Sequence, residues 1–299
     1  ALVLVGLQEG PGTCMYCMGS GEALEHPRSC RDCNGWWCSE QCWREDEERH
    51  QRKGSRDGEC NSLMRLDREL LRVDDVPLAR LMVMLLCRMA EESLRGSSKI
   101  RDLLDRLASN EDRVPAARRS ELSLVASIIL DALPLSARIE EEELEVILCA
   151  EQSNSVGIWK KEEGKRVAMI GFGIFPRVCF LNHSCLPNVT IVQRVESNKR
   201  LLSVVTLREI VAGEELCISY SDASLMENKE ERRDWLHKVY QFLCSCPLCV
   251  AGPEEERQLI EAFNRSHRCT DSFCEGLCFP SSPSSPRQTT CGTCGRRRE

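Results

Sequence analysis

Twenty cysteines punctuate this chain, and most of them come in close pairs. The first group runs Cys14-x2-Cys17, Cys30-x2-Cys33 and Cys38-x3-Cys42, followed by His50 and Cys60. A second is Cys244-x-Cys246-x2-Cys249, and a third combines Cys269-x4-Cys274 with Cys291-x2-Cys294. A C-x2-C loop places two thiolates on one ion without strain. Secreted disulfide frameworks are usually small and rarely repeat that spacing. The pattern therefore points to zinc in a reducing compartment, nucleus and cytoplasm. The first group offers eight soft or borderline ligands, enough for two closed tetrahedral sites. So polar a segment buries little apolar area, and metal binding supplies the missing folding free energy. Cys244, Cys246 and Cys249 give three thiolates and need a fourth from elsewhere, because a structural zinc site is closed. Cys269, Cys274, Cys291 and Cys294 suit a zinc ribbon, with Cys278 as a competing ligand.

Composition narrows the class. At 299 residues, 42% hydrophobic and 29% charged, the chain fits one large globular domain or two modest ones. No apolar run approaches the roughly 20 residues that cross a bilayer. The opening Ala1-Leu-Val-Leu-Val-Gly lacks the basic flank of a signal peptide. It also lacks an initiating Met, which reads as a start downstream of the natural N-terminus. A net charge of -7 argues against a broad nucleic-acid surface and suits a basic, lysine-bearing protein segment.

Periodicity separates a helical middle from a strand-rich later part. Asp75-Val76-Pro77, a capping acid with proline in the first turn, predicts a helix through Leu81, Leu85 and Met89 towards Gly96. Ile100 to Leu107, Ser120 to Leu133 and Ile139 to Ala150 repeat the helical spacing of apolar residues. From Val167 short strands take over. Val189 to Val195 and Leu201 to Leu207 flank a predicted hairpin loop, and Leu216 to Tyr220 reads as a strand. Residues 226–242 and 251–266 read as helices, and 280–287 as a flexible loop. Cys87, Cys149, Cys179 and Cys217, with Phe172, Phe175 and Phe180, read as core.

Two motifs carry chemistry: Phe180-Leu181-Asn182-His183-Ser184-Cys185-Leu186-Pro187-Asn188, and Glu214-Glu215-Leu216-Cys217-Ile218-Ser219-Tyr220. As a pair they resemble the signature of SET-domain lysine methyltransferases. The cluster from Cys14 to Cys60, with Trp37-Cys38-Ser39-Glu40-Gln41-Cys42, resembles a MYND zinc finger. Together they resemble the SMYD family, SET and MYND domain-containing methyltransferases.

That resemblance implies an α+β SET fold of small antiparallel sheets with an inserted finger. Residues 1–13 would be the remnant of the SET N-terminal strand, 14–60 the MYND finger and 61–150 a helical insert. The catalytic core would be 151–222, the post-SET zinc region 223–250, and the Cys-rich C-terminal segment 251–299. It implies interleaved finger sites, one ion on Cys14, Cys17, Cys38 and Cys42, the other on Cys30, Cys33, His50 and Cys60. In the family the last cysteine usually follows the histidine by three residues. Here Gly54 holds that place, and Cys60 follows a loop insertion. Cys185 would complete the site of Cys244, Cys246 and Cys249, giving three zinc sites with a fourth open to the tail.

The implied activity is transfer of a methyl group from S-adenosylmethionine to lysine on a histone or other protein. Asn154, Asn182, His183 and Phe242 would hold the cofactor, and Tyr220 and Tyr240 would line the lysine site. Val156 stands where the family usually has Phe, and the family's Gly-rich cofactor segment would precede Ala1. These departures keep open an alternative, a weak or inactive adaptor working through the finger. A nucleic-acid-binding zinc protein is a third class, disfavoured by the acidic charge. The resemblance also implies a proline-rich peptide partner at the finger, a monomer and no membrane association.

Overall fold

A run of ten buried residues, Leu78 to Cys87, explains the first half of the fold. It lies in the helix Val76–Leu94 (α3), buried on every side with Arg80 as its one charged member, and is therefore surrounded by other elements. The Asp75 carboxylate caps α3 by accepting from the Leu78 N–H at 3.3 Å, and Pro77 sits in its first turn. The helix stops before Gly96, whose φ of +74° few other residues tolerate.

The protein is described by a computed structural model covering residues 3–6, 14–17, 27–50, 58–69, 75–160, 168–196, 199–220, 228–271, 274, 276–280 and 289–298. Within these the chain forms two compact units, Ala1–Ile158 with Met169–Cys179 and Val195–Arg200, and Trp159–Ala168 with Phe180–Arg194 and Leu201–Glu299.

In the first unit, strand β1 (Val3–Gly6) joins β5 (Ala168–Ile174) and β4 (Ser155–Lys160) in one sheet, ordered β1-β5-β4. The β1–β5 pair is antiparallel, with Val3 opposite Ile174. The finger contributes β2 (Arg28–Ser29), β3 (Trp36–Trp37) and α1 (Glu40–His50). Helices α2 (Glu59–Glu69), α4 (Lys99–Leu104) and α5 (Ala116–Ala132) pack on α3, and α6 (Glu141–Asn154) packs on α5. The helices read from periodicity are therefore present, with ends shifted by a few residues as fraying and capping allow. One apolar cluster runs from the finger cysteines through Trp37, Leu63 and Leu66 into α3, α5 and α6.

Glu151 on α6 is 7% exposed. Burial raises its carboxyl to about 7, with a Ser155 hydrogen bond opposing the rise. An acid whose folded pKa lies above its unfolded value loses stability as pH climbs between the two, here from about 4.5 to 7. Above that window the loss is complete. Glu151→Gln is therefore expected to stabilise the protein by about 3 kcal/mol at pH 8 and to flatten the pH dependence of its denaturation midpoint.

In the second unit β6 (Asn182–His183) pairs in parallel with β9 (Cys217–Ile218), in the register Asn182–Cys217 and His183–Ile218. The strand expected over 216–220 is thus confined to two residues. Strands β7 (Val189–Glu196) and β8 (Lys199–Thr206) form a ribbon of their own. Helices α7 (Lys229–Tyr240), α8 (Pro247–Val250) and α9 (Pro253–His267) follow. A small sheet closes the chain, in the order β10 (Cys278–Pro280), β11 (Thr289–Cys291), β12 (Arg297–Arg298). Its knuckle lies on β7: a Cβ at Gly292 would sit 3.1 Å from the Val192 methyl.

Among the core assignments Phe175, Cys87 and Cys149 are buried, whereas Cys179 and Cys217 are only half-buried. Phe180 is 49% exposed, because it ends the turn that leads into β6 and has no sheet face to pack on. The predicted loop at 280–287 and the tip of the predicted hairpin lie largely outside the described residues, as does most of the 54–59 insertion. No described helix is long and apolar enough to cross a membrane.

Candidate metal centres and aromatic site

Sixteen residues converge in four sets. Their ligand atoms lie within 4.8 Å of one another in each: Cys14, Cys17, Cys38 and Cys42; Cys30, Cys33, His50 and Cys60; Cys185, Cys244, Cys246 and Cys249; Cys269, Cys274, Cys291 and Cys294. Tetrahedral zinc with bonds of about 2.3 Å sets its sulfurs about 3.7 Å apart. The separations fit: 3.5 Å for Cys17–Cys38, 3.6 Å for Cys30–Cys60, 3.6 Å for Cys185–Cys249 and 3.7 Å for Cys274–Cys291. All twenty cysteines are free of disulfides. Without a cation the thiols of one set cannot all ionise together. A hydrogen bond from Cys17 holds Cys14 down at about 5, while burial and the Cys14 charge push Cys42 to about 12. A divalent ion removes that conflict.

In the finger, the C-x2-C turns bring the sulfurs together and α1 carries Cys42 and His50 on one face. His50 is packed edge-on against Trp37, and the Trp37 indole N–H donates to Asp46 at 2.8 Å. Cys60 enters from the first turn of α2, so the ligand that departs from the family spacing is held by a helix. Gly35 is tightly enclosed, since a Cβ there would meet the buried Trp37 ring at 2.9 Å as well as the Met15 sulfur at 2.6 Å. Arg80 reaches out of α3 to the Cys33 carbonyl at 3.1 Å and pairs with Asp67. Arg80→Ala is expected to destabilise the zinc-loaded protein by about 2–4 kcal/mol in urea titration, because it removes a largely buried ion pair with Asp67 and the donor to the Cys33 carbonyl.

The second unit holds the aromatic site, and the two chemistry-bearing motifs prove to be one structure. Asn188 fastens them. Its Nδ2 donates to Glu214 Oε1 and to the Glu215 carbonyl, both at 2.8 Å, and its Oδ1 accepts from the Cys217 N–H at 2.8 Å. Glu214 is held at about 2 by its ion pair with Arg208 and the Asn188 bond. Asn182 is exposed, and its amide donates to Glu215 Oε1 at 2.6 Å.

Tyr220 follows β9 and turns back on the first motif. Its hydroxyl donates to the Leu181 carbonyl at 3.0 Å, and its backbone N–H donates to His183 Nδ1 at 3.1 Å. That bond makes Nδ1 an acceptor and leaves the proton on Nε2, 3.3 Å from the Cys185 sulfur. Burial lowers His183 to about 4, so the ring is neutral at physiological pH. An N–H aimed at a metal-bound thiolate fixes the tautomer and tunes the sulfur.

Around this core stand three more rings. Tyr240 lies 4.8 Å from Tyr220, and its hydroxyl donates to the Tyr220 carbonyl at 3.3 Å. Phe242 meets the Tyr220 ring edge-on at 6.3 Å and the His183 ring at 6.0 Å. Trp235 backs Tyr240 at 5.6 Å. Burial raises the Tyr240 phenol, keeping its proton on. Gln241, with φ +62°, turns the chain sharply between the two residues. Tyr240 and Phe242 pack directly on the cluster of Cys185, Leu236, Cys244, Leu248 and Cys249.

Asn154 belongs to the other unit. It is buried at the end of α6, and its Nδ2 donates to the Ala108 carbonyl at 2.9 Å and the Ala150 carbonyl at 2.6 Å. Sequence reasoning singled out neither Asn188 nor Glu215, although both stand inside the quoted motifs. An asparagine among apolar residues, with two acids downstream, was the available signal.

Comparison with known proteins agrees with this geometry. The SET domain profile matches residues 36–221. Histone-lysine N-methyltransferase SMYD3 of Mus musculus is 30% identical over 256 residues, covering 82% of this chain and 53% of the relative. Protein-lysine N-trimethyltransferase SMYD5 of Homo sapiens is 41% identical over 86 residues, 28% of this chain and 20% of the relative. A SET and MYND domain-containing protein of Dictyostelium discoideum is 26% identical across 84% of this chain and 73% of its own length. The chain belongs to the SET-domain family and, within it, to the SMYD proteins. It spans about a fifth of the SMYD5 relatives and about half of SMYD3.

Proposed function

We propose that this protein is a protein-lysine N-methyltransferase that uses S-adenosylmethionine. The observation that carries the reading is the anchored phenol of Tyr220, set among Tyr240, Phe242 and His183 beside the exposed amide of Asn182. The residues suit the cofactor. Half-buried electron-rich rings favour a cation, and the sulfonium of the cofactor is one. When bound, S-adenosylmethionine supplies an electrophilic methyl on sulfur.

The protein's part is alignment, desolvation and charge placement. Asn182, His183 and Phe242 are assigned to holding the cofactor, with Asn154 assigned by family resemblance. Tyr220 and Tyr240 orient the lysine amine. With its proton held on by burial, the Tyr240 phenol donates hydrogen bonds and takes no proton from lysine. The aromatic lining instead favours the neutral amine by making the ammonium costly to bury. The zinc set of Cys185, Cys244, Cys246 and Cys249 holds the lining in place.

The substrate class is a lysine-bearing protein, a histone or another, consistent with the relatives' names and with the net charge of -7. A proline-rich peptide partner is assigned to the finger, and the protein is assigned as a monomer. The test uses the full-length, zinc-loaded protein. Calorimetry with S-adenosylmethionine is expected to show saturable binding. Labelled methyl is expected on lysine after incubation with histones and a panel of lysine-containing proteins. Absence of cofactor binding overturns the reading.

A further inference from the structure

Helix α7 carries an arginine with no exposed surface. Arg232 is 0% exposed, and its guanidinium meets Glu256 of α9 at 2.6 Å. It also interacts with the sulfur of Cys249, one of the four post-SET ligands. Burial works against the guanidinium charge, and these two partners more than offset it.

Four thiolates on one Zn²⁺ leave a net charge of -2, and this set is largely buried. Cys185 and Cys249 are 0% and 3% exposed, so water screens the charge poorly. A buried anion needs a fixed cation, and among the partners described for this set Arg232 is the cationic one. It pairs with the Glu256 carboxylate and also stands against one of the four sulfurs.

We propose that Arg232 is the built-in counter-ion of the post-SET zinc tetrathiolate and, through it, a positioning residue for Tyr240 and Phe242. The link is direct. Arg232 and Tyr240 lie on the same helix, about 12 Å apart along its axis. Leu236 between them packs into the zinc cluster. Loading the site thus pulls α7 down by its arginine and sets Tyr240 at the helix end, with Phe242 just beyond the Gln241 turn. The positioning half rests on the methyl-transfer reading; the counter-ion half does not.

The test compares Arg232→Gln, Arg232→Lys and Glu256→Gln in the full zinc-loaded chain. Two readouts need no enzymatic activity. One is release of zinc to a chromogenic chelator, resolved per ion. The other is ¹¹³Cd NMR of the cadmium-substituted protein, in which sulfur-only sites are distinguished from the finger site that includes His50. A group that bonds to a metal ligand is worth about 10–100-fold in metal affinity. Arg232→Gln is therefore expected to speed loss of one ion by a factor in that range and to move one sulfur-only resonance. Arg232→Lys is expected to restore most of the retention. Glu256→Gln leaves the cation on sulfur and is expected to retain zinc as the wild type does.

An arginine serving only as half of a buried ion pair would make Arg232→Gln and Glu256→Gln equal, and that result overturns the proposal. So does unchanged zinc release in Arg232→Gln. If Arg232→Gln does not fold, Arg232→Lys and Glu256→Gln still decide, because a lost ion in Glu256→Gln with none lost in Arg232→Lys contradicts the counter-ion role. A moved cadmium resonance without any change in cofactor affinity supports the counter-ion and defeats the positioning half alone.

Discussion

Replacing Cys185 with serine is expected to abolish cofactor binding and methyl transfer while three of the four zinc ions stay in place. Cys185 sits in the loop that carries Asn182 and His183, and its three co-ligands lie at 244–249. Removing it leaves three thiolates and an open position, which a structural zinc site does not tolerate. Metal binding in such segments contributes on the order of 10 kcal/mol. The short stretch that carries Tyr240, Phe242 and α8 packs on that cluster. Misplacing reacting groups by about 1 Å costs roughly 10²-fold, so a loosened lining loses at least that. Metal analysis should count one ion fewer, with calorimetric binding of S-adenosylmethionine gone. A variant that keeps every ion and full turnover would show that the four cysteines do not share a metal.

Tyr220→Phe should behave oppositely, keeping the metal and losing the chemistry. Only one oxygen is removed. Its hydroxyl donates to the Leu181 carbonyl at 3.0 Å, so stability should fall by about 1 kcal/mol. With its proton committed to Leu181, the oxygen offers lone pairs to the lysine amine; losing one preorganised hydrogen-bonding group at a reacting centre typically costs 10²–10³-fold, and turnover is expected to fall by about that factor. The KM for the cofactor should move little, because the Asn182 loop and the His183 contact to the Tyr220 backbone N–H survive. Steady-state kinetics with labelled cofactor separates the two effects. Unchanged turnover would reduce Tyr220 to a brace for Leu181.

The metal ligands could be read from sequence because chelate geometry is local. Two cysteines a few residues apart announce a site wherever they fall, and the family resemblance supplied the interleaving. The α+β class and the principal helices were legible from capping and period, as at Asp75 and Pro77. The charged groups that tie elements together were not. Arg80, Glu151 and Arg232 each sit in a sequence that reads as an ordinary charged helix face. The partners of the two arginines, Cys33, Asp67, Cys249 and Glu256, lie on other elements, and Glu151 is set apart by its burial. Phe180 failed for the reverse reason: aromatic character argued for burial, while its turn placed it in solvent.

Sixty-four positions separate Cys185 from Cys249. A ribosome adding about 5–20 residues per second needs roughly 3 to 13 s to bridge that gap. Through that interval the finger, complete once Cys60 has emerged, can already be loaded. The clamp on the methyl-donor loop has to wait for its final sulfur. On the proposed methyl-transfer reading, a growing chain thus has a folded finger but no assembled site until residue 249 has emerged.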